Sequence, residues 1–79
     1  MDWKTYIDSD AGLLSGKPHV KGTRFSVEFI FNLFSKGWTR EQVLENYPAL
    51  SPVSLNAVFA FASEALHDES LYFLKSGAA

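Results

Sequence analysis

The residues best suited to do chemistry in this chain are Lys17, Lys21 and Arg24, carried on the stretch "SGKPHVKGTRFSV" at residues 15–27. Three cations, two glycines and a proline share thirteen positions, and no acidic residue falls between residues 11 and 27. Cations on a glycine-punctuated arm suit two tasks: pairing with nucleic-acid phosphates, or pairing with acidic groups on a partner. The same residues also suit a purely structural turn. Gly16 and Gly22 would supply positive φ, Pro18 would stiffen the chain, and Arg24 would pair with Asp8, Asp10 or Glu28. The residues alone leave both readings open.

Other chemistries are poorly served. "GLLSGKP" at residues 12–18 falls short of the G-x-x-x-x-G-K-[ST] phosphate loop. Its glycine spacing is one residue too tight, and Pro18 replaces the magnesium-binding hydroxyl and removes a backbone N–H. His19 and His67 are the only histidines, and the densest ligand-like cluster is "HDE" at residues 67–69. Adjacent helical residues point about 100° apart, so these three do not converge on one ion. Without cysteine there is no thiolate ligand and no disulfide, which fits a reducing cytosol. No Ser-His-Asp pattern has a supporting context, and nothing marks Glu41 and Glu45, at i and i+4, as an acid–base pair. Neither metal nor cofactor is expected, and the chain is not expected to be an enzyme.

The elements that must position the cations fit in one domain of 79 residues. It divides into an extended arm over residues 1–25 and a helical bundle over residues 26–75. So short a chain needs a dense core or a partner, and seven Phe, three Tyr and two Trp supply the bulk. The net charge of −2 argues against a binder that relies on bulk positive charge. The distribution is uneven: residues 1–40 balance to +2 and residues 41–79 to −4. The N-terminal "MDWKTYIDSD" has no apolar run of a secretory signal, and no segment approaches the roughly 20 apolar residues of a membrane span. A cytoplasmic protein that does not enter the membrane is expected.

Local signals mark the elements. Residues 5–8 alternate weakly as a short strand, and a second extended segment around residues 19–21 is placed to pair with it. In "SVEFIFNLFSKG", Ser26 is a natural N-cap and Gly37 a C′ residue; Val27, Phe29, Ile30, Phe31, Leu33 and Phe34 cover an arc of roughly 200°, so this helix is expected to be buried on two sides. In "TREQVLENYP", Thr39 and Gln42 form a capping box and Pro48 stops the helix, with Val43, Leu44 and Tyr47 facing inward. In "SPVSLNAVFAFASEALHD", Ser51 caps and Pro52 starts a helix running to Leu66 or His67. Its expected apolar face is Leu55, Val58, Phe59, Phe61, Ala62, Ala65 and Leu66, with Asn56, Ser63 and His67 opposite. "ESLYFLK" is expected to form a last short helix. The fold class is therefore mostly α: a bundle of three to four helices with a helix-turn-helix arrangement, preceded by a short N-terminal β-hairpin-like arm.

"GKPHVKGTRFSV", then an apolar helix, then "KGWTREQVLENYPALSPVSLNAVFAFASE" resembles the domain-of-unknown-function 433 family of small bacterial proteins. Gly16-Lys17-Pro18, Gly22-Thr23-Arg24, Gly37, Tyr47-Pro48 and Leu50 fall in place over about residues 7–64. His19 and Phe25 stand where aliphatic residues are more usual. The resemblance implies a homeodomain-like or winged-helix DNA-binding fold, similar to VapB-type antitoxins whose partners are PIN-domain ribonucleases, and it brings no catalytic residues.

Two functions compete. In the first, the chain is a dimeric DNA-binding antitoxin or autoregulator acting on DNA upstream of its own gene. Lys17, Lys21, Arg24, Lys36 and Arg40 would bind phosphates, and Ser54 and Asn56 would read base edges, Asn towards adenine. In the second it is a non-enzymatic homodimeric interaction module without DNA affinity. Dimerisation belongs to both, with Phe29, Phe31, Phe59, Phe61, Tyr72 and Phe73 as the interface candidates.

Overall fold

The structure is a computed structural model describing residues 1–9, 12 and 14–67. Three helices follow a short two-stranded antiparallel hairpin. The strands are β1 (Ile7–Asp8) and β2 (His19–Val20), with Ile7 opposite Val20 and Asp8 opposite His19. The helices are α1 (Val27–Ser35), α2 (Arg40–Asn46) and α3 (Pro52–Ala65). The expected last helix at "ESLYFLK" lies outside the described residues.

The first strand is shorter than its alternation suggests. Trp3–Thr5 forms a 3-10 turn instead, because the Asp2 carboxylate accepts a hydrogen bond from the Lys4 N–H at 3.2 Å and the Tyr6 N–H closes onto the Trp3 carbonyl at 2.9 Å. Lys21, expected in the second strand, lies in the turn beyond β2, though its N–H still reaches the Tyr6 carbonyl at 2.8 Å. The turn Leu14–Gly16 leads through Lys17 and Pro18 into β2 rather than into a helix, so the "GLLSGKP" stretch lacks the helix N-terminus that a phosphate loop requires.

Residues 20–23 reverse the chain after β2. The Thr23 N–H bonds to the Val20 carbonyl at 3.1 Å, and Gly22 at the third position has φ +78°, as in a type II turn. The Thr23 hydroxyl donates to the Val20 carbonyl at 2.8 Å and accepts from the Phe25 N–H at 3.1 Å. The returning chain then pairs with the free edge of β2. Val20 N–H meets the Phe25 carbonyl at 3.1 Å, Val27 N–H meets the Pro18 carbonyl at 2.9 Å, and Ser26 bridges to His19.

The helix ends follow the local signals. Ser26 caps α1 by accepting from the Phe29 N–H at 2.9 Å. At its other end the Gly37 N–H bonds to the Phe34 carbonyl at 3.0 Å and the Trp38 N–H to the Leu33 carbonyl at 3.1 Å, a Schellman motif with Gly37 at φ +94°. Thr39 and Gln42 form the capping box of α2, and Ser51 begins α3 one residue before Pro52.

The core joins all of these pieces: Ile7, Val20, Val27, Ile30, Leu33, Val43, Leu50, Leu55, Ala57 and Val58. Helix α1 is indeed engaged on two flanks. Phe29 meets Phe25 and Tyr47 on one, and Phe31 and Phe34 meet Phe59 on the other. Helix α3 corrects the expected face. Ser54, Leu55, Ala57 and Val58 are buried, whereas Phe59 is 41% and Leu66 52% exposed and Ala65 is exposed too. Apolar residues occur nearly all round this helix, so periodicity could not choose the inward face. The N-terminal turn helped to choose it: Trp3 packs edge-on against Phe61 at 4.9 Å and its indole N–H donates to the Glu64 carboxylate.

Beyond its two chain neighbours, no atom lies within 4 Å of where a Cβ would stand on Gly22, so Gly22→Ala suffers from φ rather than from a clash. It is expected to lower stability by about 1 kcal/mol, or roughly 4–8 °C in melting midpoint for a domain of this size, with Gly22→Asn milder. Thermal unfolding followed by circular dichroism tests this; equal midpoints for all three proteins would contradict it.

Candidate nucleic-acid interface

The five cations named from the sequence divide into three kinds. Lys17 forms an ion pair with Glu28 at 3.0 Å, joining the arm to the first turn of α1. Both side chains are largely solvated, so this contact contributes little. Arg40 is engaged more firmly. Its Nη2 donates to the Pro52 carbonyl at 2.8 Å and to Asn56 Oδ1 at 2.9 Å, tying the first residue of α2 to the first turns of α3. Lys21, Arg24 and Lys36 are exposed and have no side-chain partner among the described residues.

Lys21 and Arg24 flank the Gly22–Thr23 pair, so the hydrogen-bonded reversal fixes their backbone while their charges face water. Of the pairings suggested for Arg24, those with Asp8 and Glu28 do not form, and Asp10 lies outside the described residues. Lys36, the C-cap of α1, stands apart from them. With Gly37, Trp38, Gln42 and Asn46 it lines an open recess of about 260 Å³.

The two residues assigned to base reading also separate. Ser54 is only 5% exposed, and its hydroxyl accepts from the Ser51 N–H at 2.8 Å and donates to the Ser51 carbonyl at 2.9 Å. It completes the capping box of α3 and presents nothing to a base. Asn56 is exposed on the N-terminal half of α3 with its amide oxygen turned to Arg40. The sequence did hold a signal for that pairing. An arginine at the first position of a helix sits at the positive end of the dipole, an unfavourable place unless acceptors lie nearby.

The aromatic candidates sort in the same way. Phe29 belongs to an internal cluster in which Tyr47 meets Phe25 at 5.1 Å, Phe29 at 5.6 Å and Trp38 at 6.0 Å. Phe61 is covered by Trp3. Phe31 and Phe59, 5.5 Å apart, remain on the flank with Phe34, where Phe59 is exposed. Tyr72 and Phe73 lie outside the described residues. His19 is buried, with its Nδ1 3.2 Å from the Lys17 carbonyl. No helix among the described residues is long and apolar enough to cross a membrane.

The two cation contacts differ in their response to salt. Arg40→Met removes hydrogen bonds to neutral acceptors and is expected to lower stability by about 1 kcal/mol with little salt dependence. Glu28→Gln breaks a solvated ion pair, and its effect should stay below about 1 kcal/mol and fade as salt screens it. Urea unfolding of both variants at low and high salt checks the contrast.

The family model described as "Protein of unknown function (DUF433)" matches residues 7–62. Among solved structures, a crystal structure of a DUF433 member protein from Anabaena variabilis ATCC 29413 is similar to this chain with a TM-score of 0.69. The two are 20% identical, and the likeness covers 92% of this chain and 68% of the other. At that identity the likeness speaks for the fold alone. A comparison with curated proteins finds no match.

Proposed function

The chain belongs to the DUF433 family, and on that footing we propose that it is a small dimeric DNA-binding protein of the helix-turn-helix kind, an antitoxin or autoregulator. The observation that carries this reading is the pair Lys21 and Arg24: two cations whose side chains have no partner among the described residues, set at a hydrogen-bonded turn of a domain whose α2 and α3 follow one another through five residues. Phosphate binding is mainly electrostatic and needs exposed cations on a fixed backbone. Helix α3 contains no Lys or Arg, so affinity must come from outside it and be doubled by a second copy. Lys36 adds a further exposed cation. Arg40 and Lys17 act first within the fold.

The second copy would dock on the flank formed by Phe31, Phe34 and Phe59, the place where large aromatic surface meets solvent. That same flank supports the alternative, a homodimeric interaction module with no DNA affinity. The antitoxin role rests on the resemblance to VapB-type antitoxins, and its partner would be a PIN-domain-like ribonuclease that the acidic second half of the chain could meet through basic groups.

Fluorescence anisotropy against the DNA upstream of the gene and against a random duplex, at stepped salt, decides between these readings. Tighter binding to the upstream DNA, with a log–log salt slope of about −4 or steeper, is expected for the regulator. Lys21→Gln with Arg24→Gln should flatten that slope. Equal or absent binding on both duplexes would leave the interaction module. Sedimentation equilibrium tests the dimer, and Phe59→Ser is expected to shift it to monomer; a wild-type chain that stays monomeric at high concentration would refute both readings.

A further inference from the structure

We infer that Arg40 and Asn56 form one base-reading unit, in which Arg40 orients the Asn56 amide so that it prefers guanine to adenine. This rests on the DNA-binding reading above and specifies which base that site selects.

A guanidinium carries five N–H donors and no acceptor. Arg40 Nη2 directs its two donors to the Pro52 carbonyl at 2.8 Å and to Asn56 Oδ1 at 2.9 Å. The Asn56 amide therefore has one permitted orientation, because its NH₂ group facing the guanidinium would set donor against donor. Oδ1 points to Arg40 and Nδ2 points away.

A free asparagine recognises adenine with both ends of its amide, Nδ2 donating to N7 and Oδ1 accepting from N6. With Oδ1 turned to Arg40, that second contact is weakened. The unit offers Nδ2 of Asn56 and the remaining Nη1 and Nε donors of Arg40. Such a surface complements a base edge made of acceptors. In the major groove guanine presents N7 and O6, both acceptors, whereas adenine sets its N6 donor beside N7.

The position in the fold agrees with this task. Asn56 is exposed in the second turn of α3, and in helix-turn-helix proteins the N-terminal residues of the second helix approach the base edges. Arg40 opens the preceding helix, so the pair spans the junction of α2 and α3. Ser54, the other base-reading candidate of the sequence, is buried and engaged by Ser51, which leaves Asn56 of the two to set the preference.

The test uses the full chain. Duplexes selected by it from a random-sequence library are titrated by anisotropy, together with versions carrying each single base change and a random duplex of the same length. One position should prefer guanine over adenine by about ten-fold, and Asn56→Ala should abolish that preference. Arg40→Met should move the same position towards adenine, because it releases Oδ1. Lys21→Gln should weaken every duplex alike without changing the preference. Circular dichroism establishes that each variant is folded, and Asn56→Ala keeps the test decisive if Arg40→Met is not. If DNA is bound but the Asn56-dependent position prefers adenine, or Asn56→Ala changes no base preference, the inference is wrong and the DNA-binding reading stands. If no duplex is selected over random sequence, both fall together.

Discussion

The hydrogen-bonded reversal at residues 20–23 is the constraint on which the rest of this fold depends. A two-residue strand pair is far too short to be stable alone. It persists here because the turn sends the chain back along the other edge of β2, so that His19 and Val20 are paired on both sides. The same reversal delivers Ser26 to the start of α1. Gly22 provides the backbone angle, and the Thr23 hydroxyl closes two hydrogen bonds that no apolar residue of its shape could make. The arm and the bundle are thus one structure, joined at this turn and by the contacts of Trp3 with Phe61 and of Lys17 with Glu28.

Around that junction the chain solves the problem of its own small size with aromatic rings. The fully enclosed side chains are of modest bulk, Ile30, Leu55, Val43 and Val58 being the largest. The rings lie outside them, half-buried, with Tyr47 gathering Phe25, Phe29 and Trp38 on one flank of α1 and Phe59 gathering Phe31 and Phe34 on the other. A large ring contributes apolar area even when one edge stays wet. This arrangement completes a core in a short chain and leaves aromatic surface at its margin, which is where a second copy or a partner has most to gain.

Charge follows the same division between holding the fold and facing outward. Lys17 and Arg40 connect elements: arm to α1 in one case, α2 to α3 in the other. The side chains of Lys21 and Arg24 connect nothing among the described residues, although the turn between them is closed by hydrogen bonds. The stretch "GKPHVKGTR" is therefore both a structural turn and a display of exposed cations. Its glycine and threonine build the turn, and the turn displays the cations on either side of them.

The helix starts and the glycine turns could be read from the chain alone. Ser26, Thr39 with Gln42, Ser51 with Pro52, and Gly37 act within about four residues of the backbone groups they satisfy, so their meaning is written locally. That a segment around residues 5–8 would pair with one around residues 19–21 was also legible, from weak alternation in the first and from the glycine and proline around the second. Packing decided which side of α3 turns inward, since that helix is apolar nearly all round and its contacts with the N-terminal turn, β1 and α1 distinguish its faces. Packing also joined Arg40 to Asn56 across sixteen residues, and separated Phe29 and Phe61, which are covered, from Phe59, which is not. Those outcomes depend on distances between residues remote along the chain, and such distances exist only once the helices have packed.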